Sequence, residues 1–124
     1  MATRKECICM VNAAGIITDA RALEARSKTI NRLIGRYGLS GDAKESSMME
    51  IKNNAHVLRV GINSFERTCG ISKLGDRLDQ YQLGKDKLEQ FKKDPKDLNL
   101  VIEAGSKIYG AGISKIEKGL IECK

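Results

Sequence analysis

The stretch Met48–Cys69, MMEIKNNAHVLRVGINSFERTC, decides how this chain folds. Met48, Ile51, Ala55, Leu58, Ile62, Phe65 and Cys69 recur at alternating spacings of three and four. That period draws one unbroken apolar stripe down an α-helix. Gly70 follows directly, where a helix stop favours a residue without a Cβ. Upstream, Asp42 is placed to cap the helix start, with Glu45 returning the bond. A helix of about 28 residues is about 42 Å long at 1.5 Å per residue, and only a partner of similar length can cover its stripe.

The segment before it supplies that partner. Ile16, Ala20, Leu23, Ser27, Ile30, Ile34 and Tyr37 form a second seam with one polar interruption, Ser27. Gly38 stands at its stop, and the turn to Gly41 is so short that the two helices must run antiparallel. Thr3-Arg4-Lys5-Glu6 has the pattern of a capping box. Either the first helix begins near residue 4 and passes through a weak point at Gly15, or a separate short helix or arm covers residues 4–14.

A third helix is expected from about Ser72, carrying Ile71, Leu74, Leu78, Tyr81, Leu88 and Phe91 and stopping near Asp94. Gly75 and Gly84 each weaken it by about 1 kcal/mol relative to Ala. Asp94-Pro95-Lys96-Asp97 then reads as a restart: a capping carboxylate, Pro at the first helical position, and an acid in the first turn. The last helix runs toward Cys123 on Leu98, Val101, Ile102, Ile108, Ile116, Leu120 and Ile121. Gly105, Gly110, Gly112 and Gly119 interrupt it, as a bend, as room for another backbone, or as tolerated weakness. No period-two pattern persists. The expected architecture is an all-α antiparallel four-helix bundle of long helical hairpins, with or without an extra N-terminal helix or arm, in one domain spanning residues 1–124.

Aromatic residues are only 4% of the chain, so the core must be largely aliphatic, and a single proline leaves long helices unbroken. No run of 18 apolar residues is present, so no spanning helix is expected. Met1–Ile17 has a faint likeness to a signal peptide, with Arg4 and Lys5 before an apolar run, but Glu6 and Asn12 break it. The expectation is a cytoplasmic protein whose Cys7, Cys9, Cys69 and Cys123 are free thiols acting as small hydrophobes. Spacing alone leaves open whether Cys7 and Cys9 pair in disulfides or bind metal. A C-x-C pair with one histidine, His56, lacks the usual zinc spacing, and no metal or cofactor is expected.

Catalysis finds little support. One histidine supplies no triad, and Asn53 stands where a di-iron bundle would place Glu, three residues before His56. Gly105–Gly112 has the glycines of a phosphate loop without its Lys-Ser/Thr pair or a preceding strand. Phe65-Glu66-Arg67-Thr68-Cys69-Gly70-Ile71-Ser72 resembles the helix-to-turn corner of small repressor-type helix-turn-helix domains. Beyond the turn that family has apolar residues where this chain carries Asp76 and Gln80. The eight residues are therefore read as a helix end with a glycine stop.

Function must then lie on a surface. The net charge is +6, and residues 1–40 hold seven Lys/Arg against three Asp/Glu. On the first helix Arg21, Lys28, Arg32 and Arg36 fall within about 80° of one another, opposite Leu23, Ile30, Leu33, Ile34 and Tyr37. No carboxylate is read on that flank. Arginine suits bidentate phosphate contact, and the absence of aromatics there argues against base stacking. The expectation is a small, basic, non-enzymatic protein that binds nucleic acid through these four residues in an accessory or regulatory role, as an oligomer. The alternative is a structural or adaptor bundle in a larger protein assembly, its charge serving solubility and the Gly105–Gly119 region serving self-association. A third reading is a thiol- or metal-linked module using Cys7 and Cys9.

Overall fold

Four helices follow one another: α1 (Arg4–Tyr37), α2 (Gly41–Cys69), α3 (Leu78–Lys93) and α4 (Leu98–Gly110). The computed structural model describes residues 3–69 and 78–110, and no strand occurs among them. Helix α1 runs unbroken through Gly15, which resolves the choice at its N-terminal end. Its ladder starts with the Cys7 N–H donating to the Thr3 carbonyl at 3.0 Å. It stops because Gly38 turns left-handed, with φ 68°. The Leu39 N–H then folds back to the Leu33 carbonyl at 3.0 Å, satisfying one of the carbonyls the helix end leaves over.

Two caps differ from expectation. Helix α2 begins at Gly41, and the Ser40 carbonyl accepts the first N–H, from Lys44 at 3.4 Å. Asp42 therefore lies in the first turn, favourable to the helix dipole but not its cap. At the start of α4 the capping carboxylate is Asp97, whose Oδ1 accepts the Asn99 N–H at 3.1 Å. Pro95 and Lys96 form a turn ahead of it, so Asp94 closes α3 and Asp97 opens α4. The Asp94 N–H donates to the Gln90 carbonyl at 2.9 Å, the last bond of the α3 ladder.

The helices are arranged as a ring. Helix α1 packs against α2 and α4, α4 packs against α3, and the α2–α3 seam is the thinnest contact. Consecutive helices are antiparallel. Arg26 meets Glu50 across α1–α2 at 3.4 Å, and Lys87 meets Glu103 across α3–α4 at 3.2 Å. The α2 stripe is buried as read, with Ile51, Ala55, Leu58, Ile62 and Phe65 inside and Met48 and Cys69 packed at its ends. Each fully buried aliphatic or aromatic side chain contributes roughly 1.5–3 kcal/mol. From α1 the core takes Ala13, Ile16, Ile17, Ala20 and Leu23; from α3 and α4 it takes Tyr81, Leu88, Phe91, Leu98, Val101, Ala104 and Ile108. Ser27 is fully buried in the seam, its hydroxyl without a hydrogen-bond partner. The expected α3 start near Ser72 and the α4 residues beyond Gly110 lie outside the described residues.

Two glycines set how closely the helices approach. A Cβ on Gly105 would lie 2.6 Å from the Ala20 carbonyl oxygen of α1, and one on Gly84 would lie 2.6 Å from Ile108 Cγ1 of α4. Gly84 costs helix propensity, and in return it lets α3 sit against α4.

The expectation of free thiols is overturned. Cys9 and Cys69 form a disulfide, with Cα atoms 5.6 Å apart across 60 residues of sequence. The reason is the hairpin itself: antiparallel α1 and α2 bring the start of one beside the end of the other. Cys7 is disulfide-bonded as well, so neither Cys7 nor Cys9 is a thiolate available to a metal.

Candidate functional site

Helix lengths shape the surface. Helices α1 and α2 have 34 and 29 residues, whereas α3 has 16 and α4 begins only at Leu98. The α3–α4 turn reaches α2 at the level of Met49–Asn53, where Pro95 and Phe91 share a recess with Met49, Lys52 and Asn53. Past that turn, among the described residues, the α1–α2 hairpin projects alone. From Asn31 to Glu50 no residue is buried. Tyr37, expected at the end of the α1 seam, is 73% exposed, with no described helix opposing it there, and Met49 is 54% exposed. Leu33, Ile34, Leu39 and Met48 are half-buried, Ile34 and Met48 packed against the edge of the core.

The basic flank of α1 divides in two. Arg21 Nη2 donates to the Tyr109 hydroxyl at 2.7 Å, and its guanidinium lies over the Tyr109 ring, 4.2 Å from the centroid. Lys28 Nζ donates to Glu24 Oε1 at 2.8 Å, one helical turn away. A carboxylate thus does border this flank. The Glu24–Lys28 pair sits at the i, i+4 spacing and could have been read from the chain. The Arg21–Tyr109 contact joins residues 88 apart and could not. Arg32 and Arg36, beyond α4 on the projecting end, are exposed and have no ion pair or hydrogen bond among the described residues. The side chains of Lys44, Asp42 and Glu45 on the α2 side of the hairpin end are likewise exposed and without a partner among the described residues. The fold therefore sets free guanidiniums on α1 beside free carboxylates on α2, around half-exposed apolar side chains.

A second feature lies on the α2–α3 seam. The Tyr81 hydroxyl donates to Glu66 Oε1 at 3.2 Å, and Lys85 pairs with the same carboxylate. Burial, then the Glu66 charge, push the Tyr81 phenol well above its ordinary range. Further along the seam His56, Arg59 and Lys92 stand at the shared wall of two recesses. Asp19 on α1 is raised above the ordinary carboxylate value by its partial burial alone. Among the described residues no three of His, Cys, Asp and Glu are grouped to hold a metal ion, and no helix is long and apolar enough to cross a membrane.

Comparison with protein-family models, with curated proteins and with solved structures finds no match to this chain.

Proposed function

We propose that this chain is a non-enzymatic structural bundle that assembles through the projecting end of its α1–α2 hairpin, and that the partner seated there is a second copy. One observation carries the reading: twenty successive residues, Asn31 to Glu50, contain no buried side chain yet include Leu33, Ile34, Tyr37, Leu39, Met48 and Met49. Leaving that much apolar surface wet is unfavourable, and a cover would recover it. The chain's own chemistry supports a second copy as the cover. Arg32 and Arg36 on α1 carry the charge opposite to Asp42 and Glu45 on α2, and none has a partner among the described residues. A twofold axis laying α1 of one copy on α2 of the next would pair them twice. The disulfide supports an oxidising compartment for this assembly in place of the cytoplasm.

Nucleic-acid binding is the second reading, favoured by the free guanidiniums of Arg32 and Arg36 and by the net charge of +6. Arg21 and Lys28 support it less, each being engaged within the chain.

Sedimentation equilibrium and duplex binding separate the two. Mass rising with concentration toward a dimer, and falling back in Tyr37→Glu, is the expected result. A strict monomer at every concentration would overturn it. Steep loss of duplex binding above about 50 mM salt, abolished by Arg32→Glu with Arg36→Glu, would transfer the hairpin end to nucleic acid.

A further inference from the structure

Helices α2 and α3 touch less than any other neighbouring pair in the ring, and the gap between them is basic. One recess of about 190 Å³ is floored by Ile62 and Leu88, and a second of about 300 Å³ continues toward Pro95. His56, Arg59 and Lys92 line both, so these three side chains stand where the recesses meet. Arg59 is the anomaly. Its Nη1 is shielded from solvent and has no hydrogen-bond partner. Arg59 as a whole is half-buried, but a shielded donor of a guanidinium left without a partner is still costly. An anion seated in the recess would supply that partner.

The neighbouring carboxylates do not provide one. Glu66 is taken by Lys85 and Tyr81, and Glu89, which lines the first recess, forms no ion pair with Arg59 or Lys92 among the described residues. Lys52 adds a further cation to the second recess. With Lys85 held by Glu66, the two recesses set Lys52, Arg59 and Lys92 against Glu89, an excess of two positive charges. We infer that the α2–α3 seam is a binding site for a dianion of the phosphate-monoester type, anchored on Arg59 and flanked by Lys92 and His56. A planar guanidinium matches two oxygens of such a group at once, and lysine adds a point charge beside it. The apolar floor and the continuation of the recess leave room for a small organic body on the ester oxygen. This site is separate from the hairpin end and stands whether or not that end dimerises.

The test is a nuclear magnetic resonance titration of the intact, oxidised chain with inorganic phosphate at constant ionic strength, with chloride as the exchanged ion. Saturable shifts are expected at His56, Arg59 and Lys92. Arg59→Gln should weaken binding by about tenfold or more and Lys92→Gln by a smaller factor, while Arg32→Gln leaves it unchanged. Lys92 is exposed, so its variant decides the matter if Arg59→Gln fails to fold. Shifts that never saturate, that chloride reproduces, or whose affinity Lys92→Gln leaves unchanged would overturn the inference. The same shifts with phenyl phosphate, tighter than with inorganic phosphate, would support the ester form.

Discussion

Gly105 shows how much a single missing carbon decides here. The Ala20 carbonyl oxygen of α1 lies where its Cβ would sit, and backbone on a packed helix has little freedom to retreat. Gly105→Ala should therefore destabilise the chain by about 2 kcal/mol in urea unfolding, despite alanine's better helix propensity. Gly15 is the control: a Cβ there meets nothing within 4 Å, and Gly15→Ala should gain up to about 1 kcal/mol. Tyr81 carries the second residue-scale prediction. Its phenol is held neutral in the folded state above its ordinary value of 10.0, so the folded chain retains a proton that the unfolded chain releases. Stability is then intact below about pH 10 and falls as pH rises beyond it. Tyr81→Phe should cost about 1 kcal/mol at neutral pH through the lost hydrogen bond to Glu66. The gap between the two proteins should narrow in alkaline unfolding curves. A gap that stays constant to high pH would remove the Tyr81 account.

At the scale of elements, periodicity carried most of what the chain disclosed. The α2 stripe was legible to the last residue because a fully opposed helix must repeat its apolar side chains every three or four positions. Tyr37 misled for the complementary reason: a period tells which face is apolar, not where the opposing helix ends. The caps were placed within three residues, since Asp42, Asp94 and Asp97 all carry suitable side chains and only backbone geometry selects among them. Two members of the basic flank are engaged within the chain: Lys28 with Glu24, which stands one turn earlier and is legible in the sequence, and Arg21 with Tyr109, which is not. The disulfide is also an element-scale device, fixing the register of α1 on α2. The Cys9–Cys69 bond constrains a loop of 60 residues in the unfolded chain. By loop entropy, replacing both cysteines with serine should lower stability by about 4 kcal/mol, and reduction of the wild type, which also opens the Cys7 disulfide, should lower it by at least as much. A change below about 1 kcal/mol in denaturant midpoints would mean that packing alone sets the register.

The molecule as a whole is a bundle closed around its middle and open at one end. Four helices share the core between Ala13 and Leu23 on α1, while the hairpin end continues past the α3–α4 turn with charges of both signs and apolar side chains uncovered. None of this overhang can be read from local patterns, because it depends on comparing the lengths of helices far apart in the chain. The most direct measurement of its role is a charge exchange between copies. One variant carries Arg32→Glu and Arg36→Glu, and the other carries Asp42→Lys and Glu45→Lys. In sedimentation equilibrium each should be monomeric alone, and an equal mixture should form a one-to-one dimer. Failure of the mixture to pair, with the wild type equally monomeric, would contradict the proposed contact.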